Sequence, residues 1–269
     1  MKKLIILSDY GLDDAVAGAY LFDKKELFEK IYVVAVAGNV SADVSLENAS
    51  KLLCAANADR EFITLVRTQE THQAFAVLPQ VHGGDGMGDL INEVGDYPYI
   101  SYGDFTASLA GTGQDYTVLS LGPLTVTQKL MELIPKARLV IMAGVSKEKP
   151  NFNGMEFNQA LDAKAFSACA EKYPHAMATL DPCRAAAFNL ALCKLPEDKL
   201  IKRLINRAVS LATARHGDNA FIYDFIASLY LTHPQIFSVE KTKSICGDGI
   251  FQLKLTDRSF SLKKFVEKL

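Results

Sequence analysis

The chain has 269 residues, 49% apolar and 22% charged, which supplies a sizeable buried core and excludes a disordered or low-complexity protein. Its 29 Lys and Arg stand against 31 Asp and Glu with no block of five like charges, so neither nucleic acid nor a membrane surface is expected as a partner. The apolar run Leu4–Leu7 is too short for a signal-peptide core, and no stretch reaches the roughly 18 apolar residues of a membrane span. Five scattered cysteines (Cys54, Cys169, Cys183, Cys193, Cys246) lack zinc spacing and read as reduced thiols of a cytoplasmic protein.

Hydrophobic periodicity predicts, in chain order, strand Lys3–Leu7, helix Asp13–Phe22, strand Ile31–Ala37, helix Ser45–Ala56 and strand Phe62–Val66. A Gly-rich stretch, His82–Gly113, follows. The pattern then resumes with strand Tyr116–Leu121, helix Pro123–Leu133, strand Arg138–Met142, helix Asp162–Cys169 and strand Ala176–Leu180. This alternation predicts an α/β fold, an open and mostly parallel sheet with helices on both faces. Residues 184–231 read as mainly helical, in Leu200–Ala214 and Ile222–Leu231. Phe237–Ile245 and Ile250–Leu255 read as a small hairpin across Cys246–Gly249, and Ser259–Leu269 as a closing helix. No repeat or linker interrupts the chain, so residues 1–269 are expected to form a single domain.

In an open parallel sheet, ligands bind beyond the carboxyl ends of the strands. Asp9, Asp13 and Asp14 crowd the first of these ends around the Gly11 turn. Two readings compete there: helix capping, which accounts for Asp13 and Asp14, and oxygen ligation of a hard cation such as Ca²⁺ or Mg²⁺, which would relieve the repulsion that Asp9 adds. Gly38-Asn39 reads as a turn with a left-handed Asn, and Gly122-Pro123 as the start of a helix. With Asn151, Asn153, Glu156 and Asn158, these segments predict a lining rich in carboxylates and carboxamides and poor in Lys and Arg, which suits a neutral polyol.

The segments Asp9-Tyr10-Gly11-Leu12-Asp13-Asp14-Ala15, Val36-Ala37-Gly38-Asn39, His82-Gly83, Gly122-Pro123-Leu124, Met155-Glu156-Phe157-Asn158 and Asp162-Ala163 occur in an order that resembles the inosine-uridine-preferring nucleoside hydrolases. The resemblance implies a Rossmann-like core, a homodimer or homotetramer, and a Ca²⁺-dependent enzyme that cleaves the N-glycosidic bond of ribonucleosides. Asp9, Asp14 and Asp224 match its side-chain metal ligands, and Leu121 the residue that offers a backbone carbonyl. Asp13 and Asn39 match residues that hold the ribose hydroxyls, and Glu156 and Asn158 those near the 5′ end. Met142 and His82 match pocket residues, and Asn151 fits a further ribose contact if one residue is deleted from its loop. Asp9 would then be the general base toward a metal-activated water, and the carboxylates would stabilise an oxocarbenium-like transition state.

Two positions depart from the pattern. Leu7 replaces a further Asp, and Tyr223 stands where the family has the histidine that protonates the leaving base, which leaves Tyr223, or His216 from the preceding loop, as candidate acid. His175 and His233 read as structural or surface residues. The chain has no Trp, so only Tyr, Phe or His can stack on a base. A nucleoside or ribose sensor with little catalysis is an alternative compatible with Leu7 and Tyr223. An aspartyl-phosphate phosphohydrolase is a weaker one, because Gly11 occupies the place of its second Asp.

Overall fold

The computed structural model describes residues 2–68, 74–109 and 115–269. Strand β1 (Lys2–Ser8) runs through the middle of the molecule, buried from Leu4 onward. Its side chains divide by parity: Leu4 and Ile6 enter one apolar core, Ile5 and Leu7 the other. Burial on both faces explains why the strand reads as a continuous apolar run instead of an alternation.

From β1 the chain passes through α1 (Leu12–Leu21), β2 (Phe28–Ala35), α2 (Ala42–Ala55), β3 (Ile63–Arg67), α3 (Pro79–His82), β4 (Tyr99–Ser101) and α4 (Tyr102–Leu109). It then crosses to the other side of β1 as β5 (Tyr116–Ser120), continuing through α5 (Thr125–Leu133), β6 (Arg138–Met142), α6 (Phe157–Leu161), α7 (Ala163–Lys172), β7 (His175–Ala178) and α8 (Leu180–Cys183). Helices α9 (Leu200–His216) and α10 (Tyr223–Thr232), strands β8 (Phe237–Lys243) and β9 (Gly249–Leu255) and helix α11 (Leu262–Val266) complete it. Among the described residues the strands form one nine-stranded sheet in the order β4-β3-β2-β1-β5-β6-β7-β9-β8, parallel except for the β8–β9 pair.

The strand order reverses between β1 and β5, both of which pair in parallel with their neighbours on either side. That switch point leaves a crevice beyond the carboxyl ends of β1 and β5, because the chain departs from the two strands in opposite directions. Asp9 and Leu121 are the residues that enter it first.

The α/β class and the parallel sheet are as the periodicity predicts. Several boundaries differ. The second strand ends at Ala35, so Val36–Asn39 forms the site loop; the strand expected to reach Leu180 stops at Ala178, and α8 begins at Leu180. Helix α5 starts at Thr125, two residues after Pro123, and the closing helix shrinks to Leu262–Val266. The hairpin joins the main sheet: His175 Nε2 accepts from the Phe251 N–H at 3.1 Å, and Gln252 Nε2 donates to Thr179 Oγ1 at 2.6 Å. The Gly-rich stretch holds β4 and α4, short edge elements with little periodicity to reveal them, and its residues 110–113 lie outside the described residues, as does His72.

Leu119 on β5 is 0% exposed and Leu133 at the end of α5 is 56% exposed. Leu119→Ala should cost about 2–5 kcal/mol of stability through lost burial and a residual cavity, and Leu133→Ala should stay within about 0.5 kcal/mol. Urea unfolding of both variants checks this ranking.

Candidate active site

The site begins where β1 ends. Tyr10 turns the chain with φ +44° and Gly11 leads into α1. This sharp turn lets the Asp14 side chain fold back: its Oδ1 accepts from Ser8 Oγ at 2.6 Å and its Oδ2 from the Gly11 N–H at 2.9 Å. Capping therefore accounts for Asp14 in part, but not for Asp9. Asp9 Oδ2 accepts from the Asn39 N–H at 2.7 Å and its Oδ1 from Asn39 Nδ2 at 3.0 Å, which clamps the carboxylate to the loop after β2. Asn39 is not in a left-handed conformation, since it is absent from the positive-φ residues. Gly38 makes the clamp possible, because a Cβ there would fall 1.9 Å from Asp9 Oδ2.

Asp224 reaches the same place from the first turn of α10. Ligand oxygens of Asp13, Asp14 and Asp224 lie within 4.8 Å of one another, and Asp9 and Asp14 act on each other's charge. Asp9, Asp14 and Asp224 are buried, and among the described residues no Lys or Arg forms an ion pair with any of the four. The electrostatic consequence is severe. Burial, reinforced by Asp14, raises the Asp9 pKa well above the usual carboxylate range. Burial and Asp13 push Asp14 up to about 7, and burial with the other three carboxylates raises Asp224 strongly. Asp13 Oδ1 is buried without a hydrogen-bond partner. A cluster of hard oxygen donors with one orphaned carboxylate oxygen fits a hard divalent cation.

The wall beside this cluster is built by α6. Glu156 caps the helix, its carboxylate accepting from the N–H groups of Asn158 and Gln159 at 3.0 Å each and of Gly144 at 2.9 Å. Burial nevertheless pushes Glu156 up to about 7. The cap aims Asn158 inward, where Nδ2 donates to the carbonyls of Leu121 at 2.6 Å and Met142 at 3.0 Å. The Leu121 carbonyl is thus held at the mouth of the switch point by a neighbouring amide.

A cavity of ≈ 750 Å³ opens above, lined by Asp13, Asn39, His82, Leu121, Met142, Asn151, Glu156, Asn158, His216, Tyr223 and Asp224. Asp9 and Asp14 lie beneath this lining. Of the residues predicted to form the site, all are thus brought to one place, although the tight oxygen group contains Asp13 where the resemblance placed Asp9. His82 Nδ1 accepts from the Leu12 N–H at 3.1 Å and lies 3.7 Å from Asp13 Oδ1; burial lowers its pKa. His216 is the last residue of α9 and not part of a loop, because the helix continues one turn past its last buried residue, Ala212, and ends at Gly217, whose N–H donates to the Thr213 carbonyl. Burial and the neighbouring Arg215 and Arg184 push its pKa down, which disfavours the imidazolium an acid needs.

The expectation of a pocket poor in Lys and Arg is corrected: Lys149, Arg184 and Arg215 also line the cavity. Arg184 follows β7 in the loop that carries α8, a strand end like the others, and could have been found by the same rule. Arg215 sits beside His216 on α9, where helix periodicity does not reveal which end meets the sheet. Tyr223 is mostly buried, and its hydroxyl accepts from Arg184 Nε at 3.4 Å.

This fold and site define an α/β protein with a buried cluster of carboxylates beneath a pocket lined by polar side chains. The sequence model of the inosine-uridine preferring nucleoside hydrolases matches residues 4–257, and the chain belongs to that family of metal-dependent hydrolases of N-glycosyl bonds. It is 28% identical over 262 residues, 89% of this chain and 82% of its relative, to the non-specific ribonucleoside hydrolase RihC of Klebsiella pneumoniae. The protein of that name in Shigella sonnei is 28% identical over 253 residues, 87% of this chain and 80% of its own. The structure of the purine-preferring ribonucleoside hydrolase from Gardnerella vaginalis shares the fold with a TM-score of 0.74 at 21% identity, over 95% of this chain and 89% of that one. That of the inosine-uridine preferring nucleoside hydrolase from Bacillus anthracis does so with a TM-score of 0.67 at 17% identity, over 97% and 92%. Among the described residues no helix is long and apolar enough to cross a membrane.

The raised carboxylates carry a pH signature. Asp14 moves from an ordinary 3.8 to about 7, so the folded protein binds its proton more tightly than the unfolded chain. That contribution is fully present below the unfolded value and is lost as pH rises through about 7. In chelator, Tm should therefore fall between about pH 5 and about pH 8, and a divalent cation should abolish most of the fall. A Tm that is indifferent to both pH and cation over this window would contradict the assignment.

Proposed function

We propose that the chain is a calcium-dependent nucleoside N-ribohydrolase that converts ribonucleosides and water to free base and ribose, acting as a single cytoplasmic domain in a homodimer or homotetramer. The observation that carries this reading is the convergence of Asp9, Asp13, Asp14 and Asp224 with the Leu121 carbonyl at the sheet's switch point, without a basic partner to neutralise them.

Asp9, Asp14, Asp224 and the Leu121 carbonyl would hold the calcium, whose Lewis acidity eases deprotonation of water and polarises hydroxyl groups. Asp13 and Asn39 grip the ribose hydroxyls from the floor, while Glu156 and Asn158 bind the 5′ end. Met142, His82 and Asn151 shape the walls around the sugar. Asp9, held rigid by two donors from Asn39, takes the proton of the attacking water as its oxygen bonds to C1′. The carboxylates and amide oxygens around the sugar then oppose the positive charge that develops on the ring. Tyr223, whose oxygen is already occupied as an acceptor from Arg184, keeps its hydrogen free to form a hydrogen bond to the departing base.

Asp9→Asn should keep a cooperative thermal melt but lose nearly all kcat, since an amide cannot accept the proton. Asp14→Ala should lose stoichiometric calcium binding in a calorimetric titration. Turnover of Asp9→Asn within a few-fold of wild type would place the base elsewhere, and equal calcium binding by wild type and Asp14→Ala would refute the ligand set.

A further inference from the structure

When a glycosidic bond to nitrogen breaks, the electron pair stays on the base, and it must be met by a proton or by positive charge. The described residues around the pocket offer poor proton donors. His82 has committed Nδ1 to the Leu12 N–H, and His216 is crowded by two arginines. They offer fixed positive charge in abundance. Arg184 is 20% exposed at its side chain and is braced on three sides, by the Tyr223 hydroxyl at 3.4 Å, the Lys149 carbonyl at 2.6 Å and the Glu148 carboxylate at 3.6 Å. Arg215 lines the same cavity, its Nε donating to the Leu211 carbonyl at 3.3 Å, and among the described residues it forms no ion pair with a carboxylate. Arg184 is bonded to the Tyr223 hydroxyl, Arg215 acts on both Tyr223 and Asp13, and among the described residues neither forms an ion pair with Asp9, Asp13, Asp14 or Asp224. The pocket is thus divided into an anionic floor for the sugar and a cationic wall beside Tyr223.

Resting on the reading of the chain as a nucleoside hydrolase, we propose that Arg184 and Arg215 form a cationic clamp for the departing base, which leaves as an anion, and that the chain therefore prefers nucleosides of acidic, imide-bearing bases. The balance is complete without a protein acid. Water oxygen bonds to C1′, its proton passes to Asp9, the C1′–N pair stays on the base nitrogen, and the base anion takes a proton from solvent after release. An arginine is suited to this role because it stays charged at all working pH values and meets planar, delocalised anions with paired N–H donors. Arg184 has a second, positioning role, since its bond to the Tyr223 oxygen turns the phenolic hydrogen away from itself. A base that becomes a stable anion gains from both arginines, whereas a base such as cytosine, whose anion is poor, gains little.

The test is a leaving-group series in calcium-containing buffer: cytidine, uridine, 5-fluorouridine and p-nitrophenyl riboside, with wild type, Arg184→Gln, Arg215→Gln and Arg215→Lys. Wild type should favour 5-fluorouridine over uridine and uridine over cytidine in kcat/KM. Either Gln variant should lose about 10²-fold on uridine, less on 5-fluorouridine and least on p-nitrophenyl riboside, and Arg215→Lys should recover part of the loss. Arg215 is at the rim, so its variants remain informative if Arg184→Gln melts poorly. Uniform losses across the series, or wild-type cleavage of cytidine as fast as 5-fluorouridine, would overturn the clamp while leaving the hydrolase intact. Failure of wild type to release ribose from any of the four would instead overturn the hydrolase reading.

Discussion

Four carboxyl groups at the carboxyl end of β1 cannot all be charged, buried and unpartnered at once. Desolvation and mutual repulsion raise the pKa values of Asp9, Asp14 and Asp224, and the rest of the site is arranged around that crowding. Ser8, Gly11 and Asn39 donate hydrogen bonds that hold the groups in place, yet none of them carries a compensating positive charge. On the proposed reading, a divalent cation would supply the charge the protein withholds. On the same reading, this withholding would serve catalysis, because a lysine close to the sugar would oppose the positive charge that builds on the ring in the transition state.

The fold makes this arrangement affordable by separating scaffold from site. β1 buries both faces in two apolar cores, so its end is fixed from both sides before the chain turns at Tyr10. The adjoining loops approach so closely that side chains are excluded: a Cβ on Gly38 would meet Asp9, and one on Gly11 would come within 2.3 Å of Asn39 Nδ2. Asp224, more than two hundred residues away in the chain, arrives because α10 lays its apolar side, including Phe225, Ile226 and Leu229, into the same core as α1.

The sheet was legible because the β1, β5 and β6 runs are apolar on both faces, and the site was legible because it follows from where such strands end. β4 escaped because a strand of three residues, 36–51% exposed at Tyr99 and Ile100, leaves no period to read. The positive wall escaped for a different reason. Arg184 follows a strand end, where the same rule applies, but Arg215 is ordinary in local context, and the packing of α9 against the cavity brings its charge to the same wall. Asp13 is brought closer to the cluster than its sequence position alone suggests: its oxygens lie with those of Asp14 and Asp224, beside Asp9, which Asn39 holds.

The division of the pocket into an acidic floor and a basic wall unites these features, with charge of each sign set where the bond-breaking step needs it. The account depends on the floor being a cation site that serves hydrolysis. Its most direct test is the release of reducing sugar from uridine and inosine by wild-type protein, first stripped with a chelator and then resupplied with calcium. The account predicts that stripping removes activity and that calcium restores it in proportion to the cation bound; full activity in chelator, or calcium binding without sugar release from either nucleoside, would contradict it.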